Sequence, residues 1–127
     1  MYAASAPAFL QVLTAFEGVL DKAIAFAEAK KIDHSVIAGL RLAPDMLPFS
    51  RQIQFVADYA VRGMARLANT EPPEFANDEK TLEELKARLA KAIAYVKGVA
   101  PAALDGVENR EVTFGVGGGK TMTVPAP

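Results

Sequence analysis

The sequence predicts a mainly α protein: an up-down helical bundle of three long helices and one short helix, followed by a C-terminal β-hairpin. Three observations carry this reading. Apolar residues recur at steps of three and four through three long segments. Thr81 and Glu84 stand at the spacing of a capping box, the clearest helix start in the chain. After residue 110 the period changes from helical to alternating, around the glycines 117 to 119.

The first long helix is expected from Ser5 to about Lys30. Phe9, Leu13, Phe16, Leu20, Ile24 and Ala27 form its stripe, Ser5 is read as its N-cap, and Pro7 fits the first turn, where no N–H is needed. Leu10, Val12, Val19 and Phe26 widen the apolar surface, so the helix should be covered on more than one side. Asp33 caps a short helix through about Leu42, and Pro44 and Pro48 punctuate the connection. Asp45 is read as a cap within the apolar stretch "DMLPF", which would act as a hydrophobic staple for the next helix.

The second long helix runs from about Leu47 to Ala68, with Phe49, Ile53, Val56, Ala60, Met64 and Leu67 facing the core. A turn around Pro72 and Pro73 leads to the third long helix, which starts at Thr81. Leu85, Leu89, Ala92, Ile93 and Val96 form its apolar face, while Glu84, Arg88 and Lys91 are placed on the polar side at weak ion-pair spacing. Gly98 and Pro101 end it. In "REVTFGVGGGKTMTV", Val112, Phe114 and Val116 alternate with Glu111 and Thr113, and residues 121 to 124 form a return strand.

The stretch "GGGKT" looks like a phosphate-binding loop and fails the spacing test. That loop needs a glycine five residues before Gly119, where this chain has Phe114, and a helix after Thr121, where it has "MTVPAP". A dinucleotide fingerprint would need glycine at Lys120 and an α/β alternation that is lacking. The glycines are read as a tight hairpin turn.

Composition narrows the function classes. The 127 residues suit one domain, spanning 1–127, and the 51% apolar content is that of a chain that folds. A formal net charge of -1 without a basic run gives no nucleic-acid footprint. Zero cysteines remove thiolate catalysis and Cys-ligated metals. The N-terminal apolar run has no basic region before it and is broken by Glu17 and Asp21, so neither a signal peptide nor a membrane span is expected, and the protein is read as cytoplasmic.

His34 is the single histidine, beside the Asp33 cap, and is expected to face solvent rather than to act in catalysis. Ser5, Ser35 and Ser50 lie in no nucleophile elbow. In "RQIQFVADYAVR", Gln54 and Asp58 share one face of the second long helix, flanked by Arg51 and Arg62. Facing inward they could ligate a metal or orient a bound polar molecule; facing outward they are solvated residues. Ile53, Val56 and Ala60 claim the core and put this pair at its edge, as the candidate ligand-binding residues of the chain.

The run "RLAPDMLPFSRQIQFVADYAVRGMARLA", with "SAPAFLQVLTAFEGVLDKA" before it and "EPPEFANDEKTLEELKARLAKAIAYV" and "REVTF…GGK" after it, resembles an uncharacterised domain-of-unknown-function family of the DinB/YfiT-like superfamily of metalloenzymes. The resemblance covers residues 2 to 124 or so. It implies a DinB-like four-helix bundle with a hairpin before the last helix, histidine-held metal on the second and last helices in the wider superfamily, thiol-dependent transferase chemistry in some members, and frequent dimers. Where a histidine would stand on the second helix, this chain has Gln54 and Asp58, and the family's last helix would follow Pro127, so the domain is expected to be C-terminally incomplete relative to the family.

Two readings of function follow. One is an uncharacterised, non-catalytic bundle, a homodimer that covers its open groove with a second copy and binds a small ligand, with no cofactor, nucleic acid or membrane partner. The other is a DinB-type metal-dependent enzyme using zinc or nickel, with ligands beyond Pro127 or on a partner chain. The count of metal ligands in the chain favours the first.

Overall fold

The computed structural model describes residues 1–125. Its elements are α1 (Tyr2–Lys30), α2 (His34–Ala38), α3 (Phe49–Leu67), α4 (Leu82–Gly98), a 3₁₀ turn (Pro101–Leu104), β1 (Glu111–Gly117) and β2 (Lys120–Pro125). The predicted class, three long helices, one short helix and a terminal hairpin, is the observed one.

The start of α1 differs from expectation. The helix begins at Tyr2, and Ser5 lies inside it, its hydroxyl donating back to the carbonyls of Met1 and Tyr2. A serine within the first turns can satisfy itself on a preceding carbonyl and need not cap. At the other end Lys31 closes the helix in the left-handed conformation, φ 56°, with the amides of Lys31 and Ile32 donating to Glu28 and Ala27. Glycine is the usual residue there.

Asp33 does cap α2: it accepts the amide of Ser35 at 2.8 Å. The helix is shorter than predicted, ending at Ala38, because Gly39 and the segment to Pro48 break the repeat. Asp45 caps nothing. The N-cap of α3 is Pro48, whose side chain offers no acceptor, and α3 begins at Phe49. α4 starts as predicted: Thr81 accepts the Glu84 amide, and Glu84 accepts the Thr81 amide at 3.0 Å and that of Lys80.

The core lies among the three long helices. Leu13, Leu20 and Ala27 come from α1, Ile53, Ala57 and Met64 from α3, and Leu85, Leu89 and Val96 from α4, all fully buried. Leu104 and Val107 close one end. α4 packs on both other long helices, whereas α1 and α3 meet less closely. Lys86 pairs with Asp21 on the α4 side of α1, and the ring of Phe9 lies against Gly63 on the α3 side.

β1 and β2 pair antiparallel, Val112 with Val124 and Phe114 with Met122. Gly118 and Gly119 form the two-residue turn at φ 59° and 72°, the left-handed pair that matches the twist of a hairpin. Arg66 of α3 stacks over Phe114 at 4.5 Å, and Arg110 donates to the last carbonyls of α3, those of Arg66 and Leu67. A cation at a helix C-terminus meets the negative end of its dipole.

α1 is the one helix among the described residues long and apolar enough, by length and composition, to cross a membrane. Here it is one wall of the bundle, with Glu17 and Asp21 in its middle.

Candidate functional site

The most organised polar group in the molecule is centred on Arg88. It was expected on the polar side of its helix and is instead 2% exposed. One guanidinium nitrogen, Nη1, donates to the Ala76 carbonyl and to Glu79 Oε1, each at 2.8 Å. Nη2 donates to Asp58 Oδ1 at 2.6 Å. The ring of Phe75 covers the group at 5.4 Å. A buried guanidinium needs anions and carbonyls around it to replace the water it has lost.

Gln54 and Asp58 are part of this network. Gln54, 2% exposed, donates to Glu79 Oε2 at 2.8 Å and accepts from Arg51 at 2.8 Å. The sequence places these two residues four apart on α3, and the structure brings them to the extended segment before α4. Their surroundings argue against a divalent metal there. The glutamine oxygen is occupied by Arg51, and the carboxylates of Asp58 and Glu79 face a fixed cation that would repel a second. Among the described residues no three of His, Cys, Asp and Glu gather as metal ligands. The donors present do not fit the superfamily's metal.

Periodicity alone did not reveal Arg88 and Glu79. Arg88 lies roughly 40° around α4 from Ala92, on the border of the apolar face. The available signal was an arginine at that border together with an acid on α3, and nothing in the sequence said that the two faces meet.

His34 is half-buried rather than solvent-facing, with Nδ1 against the Glu83 carboxylate. The Ser35 hydroxyl donates to Asp33, holding that carboxyl below the usual carboxylate range together with the Ser35 amide. Neither serine nor histidine contacts the other in a nucleophile–base arrangement.

Three long helices, one short helix and a terminal hairpin make this a helical-bundle domain. Residues 1–127 match the family described as Domain of unknown function (DUF1993), and the chain belongs to that family. It is also similar to the crystal structure of a DinB family member protein from Shewanella denitrificans, solved at 1.83 Å, with 33% identity and a TM-score of 0.83. The match covers 96% of this chain and 70% of that one. No curated protein matches the chain.

Proposed function

We propose that this chain is a non-catalytic helical-bundle protein that self-associates through the open flank of α1. The observation that supports it is a stripe of exposed apolar side chains, Val12 at 47%, Val19 at 46% and Phe26 at 53%. Each follows Phe9, Phe16 or Ala23 by three residues, so the stripe continues around α1 from the side that meets α3, away from Asp21 and α4. At the C-terminal end of the stripe, an apolar cleft of about 440 Å³ lies between Ala23, Ile37, Leu40, Leu42 and Phe49. Leu42 there is 92% exposed. Monomers seldom leave such contiguous apolar surface in water.

A second copy is the occupant that suits the stripe. Its three large residues are spaced seven apart on either side of Val19, so the pattern reads the same in both directions. An antiparallel pairing about a twofold axis at Val19 sets Phe26 of each protomer beside Val12 of the other, a self-complementary contact. Ala8 and Ala15 near the stripe allow the helices to approach closely.

Light scattering at micromolar concentration tests this. The wild type should run as a dimer and V19E as a monomer with unchanged far-UV circular dichroism; a wild-type monomer overturns the reading. Stoichiometric zinc or nickel in the purified protein would instead favour a metal-dependent enzyme.

A further inference from the structure

We infer that the apolar cleft between α1, α2 and α3 binds a small amphiphilic monocarboxylate. The cleft lies at the end of the α1 stripe but is walled by a single chain, so this goes beyond self-association and does not rest on it.

The connection from α2 to α3 shapes it. No helix or strand lies between Ala38 and Phe49, yet the stretch is tied down near both ends. The Phe49 amide donates to the Leu40 carbonyl at 2.8 Å, and the Gln52 side chain donates to the Leu47 carbonyl at 3.0 Å. Within the connection, the Met46 amide donates to the Ala43 carbonyl at 3.0 Å. Leu40 and Leu42 thereby line a cleft of about 440 Å³ with Ala23 of α1, Ile37 of α2 and Phe49 of α3. Its size and apolar walls are those of a small-ligand site, formed before any ligand enters.

Charge complementarity fixes the head group. Arg41 is the one charged residue lining the cleft. Among the described residues no carboxylate lies within 4.0 Å of it, not even Asp45 in the same connection. Its one hydrogen bond is long, from Nη1 to the Pro44 carbonyl at 3.4 Å. A guanidinium presents a planar fork of donors that matches a carboxylate. One positive charge answers a monoanion, whereas a phosphate monoester would bring a second negative charge with nothing to meet it. The apolar walls then take a short aliphatic tail.

Octanoate is the probe, with 1-octanol, octylammonium and acetate as controls. Titration followed by ¹³C methyl spectra should move the signals of Ile37, Leu40 and Leu42 to saturation with octanoate and raise Tm. Octanol should bind about tenfold more weakly, octylammonium more weakly still, and acetate not at all. R41Q, a change in an exposed side chain, should reduce octanoate to the affinity of octanol and leave octanol unaltered. The same titration in V19E should give the wild-type affinity, so a failure of self-association is told apart from a failure of this site. Methyl signals that octanoate does not move, or moves without saturation, overturn the proposal. So do octanol or octylammonium binding as tightly as octanoate, R41Q binding octanoate like wild type, or binding lost in V19E.

Discussion

Arg88 on α4 and Asp58 on α3 meet at 2.6 Å, with the arginine side chain 1% exposed and the aspartate 17%. This pair joins the two helices across their interface, and Glu79 joins the loop to the same guanidinium at 2.8 Å. A buried ion pair need not add net stability over an apolar substitute, but removing one partner leaves charge without solvation.

R88M should therefore lose about 3–5 kcal/mol, because two partly buried carboxylates are left facing each other. Urea unfolding of R88M and of R88M/D58N/E79Q checks it. The triple variant, with the stranded charges removed, should recover part of the loss. If R88M does not fold at all, D58N alone should still fold, since Glu79 and the Ala76 carbonyl continue to hold Arg88.

The capping box of α4 gives a pH prediction. Accepting the amides of Lys80 and then Thr81 holds the Glu84 carboxyl below its usual range. A carboxyl whose pKa is lower in the folded state contributes stability above its unfolded pKa, near 4.3. That contribution disappears as the pH falls through the lowered folded value. E84Q keeps a capping acceptor but cannot titrate. Denaturation midpoints should put wild type above E84Q at neutral pH and let the two converge in acid. Parallel curves across that range would contradict the assignment. T81A, which removes the other half of the box, should cost about 1 kcal/mol.

At the end of α1, Lys31 holds φ 56° where a side chain is strained. K31G should stabilise the protein by about 0.5–1 kcal/mol, the relief of the left-handed strain less the entropy glycine adds to the unfolded chain. A rise in Tm at pH 7 is the measurement, and a fall would show that the lysine side chain makes a contact that outweighs the strain.

How much of this was legible in the sequence follows from what each signal depends on. The stripes Leu13–Leu20–Ala27 and Leu85–Leu89–Val96 are local patterns, and both are buried as read. The hairpin turn was legible because two consecutive left-handed residues call for glycine, and Gly118 and Gly119 supply them. Ser5 and Asp45 were misjudged because a residue type suited to capping does not say where a helix starts; packing carried α1 back to Tyr2 and left Asp45 outside α3. Gln54 and Asp58 were found as a pair at the core edge, but their partner was not. Arg88 is polar by type and buried only because α3 and the loop at residues 76 to 79 bring Asp58, Glu79 and a carbonyl around it. That is tertiary information, and a one-dimensional pattern does not contain it.

Gly63 gives a test of how loosely α1 and α3 meet. A Cβ at this position would stand 3.0 Å from Cζ and 3.4 Å from Cε2 of Phe9, too close without movement. Two effects oppose each other. Alanine favours the interior of α3 by about 1 kcal/mol over glycine, while overpacking a rigid site costs about 1–3 kcal/mol. The contact is with the far end of an aromatic ring, and Phe9 is only half-buried on the less closely packed side of α1. The ring can yield by a few tenths of an ångström without displacing the backbone, so the propensity gain should prevail. G63A should be neutral to about 1 kcal/mol more stable than wild type in urea, whereas G63L, too large for the ring to avoid, should be destabilised. A loss above about 2 kcal/mol in G63A would mean that Phe9 is held in place and that the two helices pack as tightly as either does against α4.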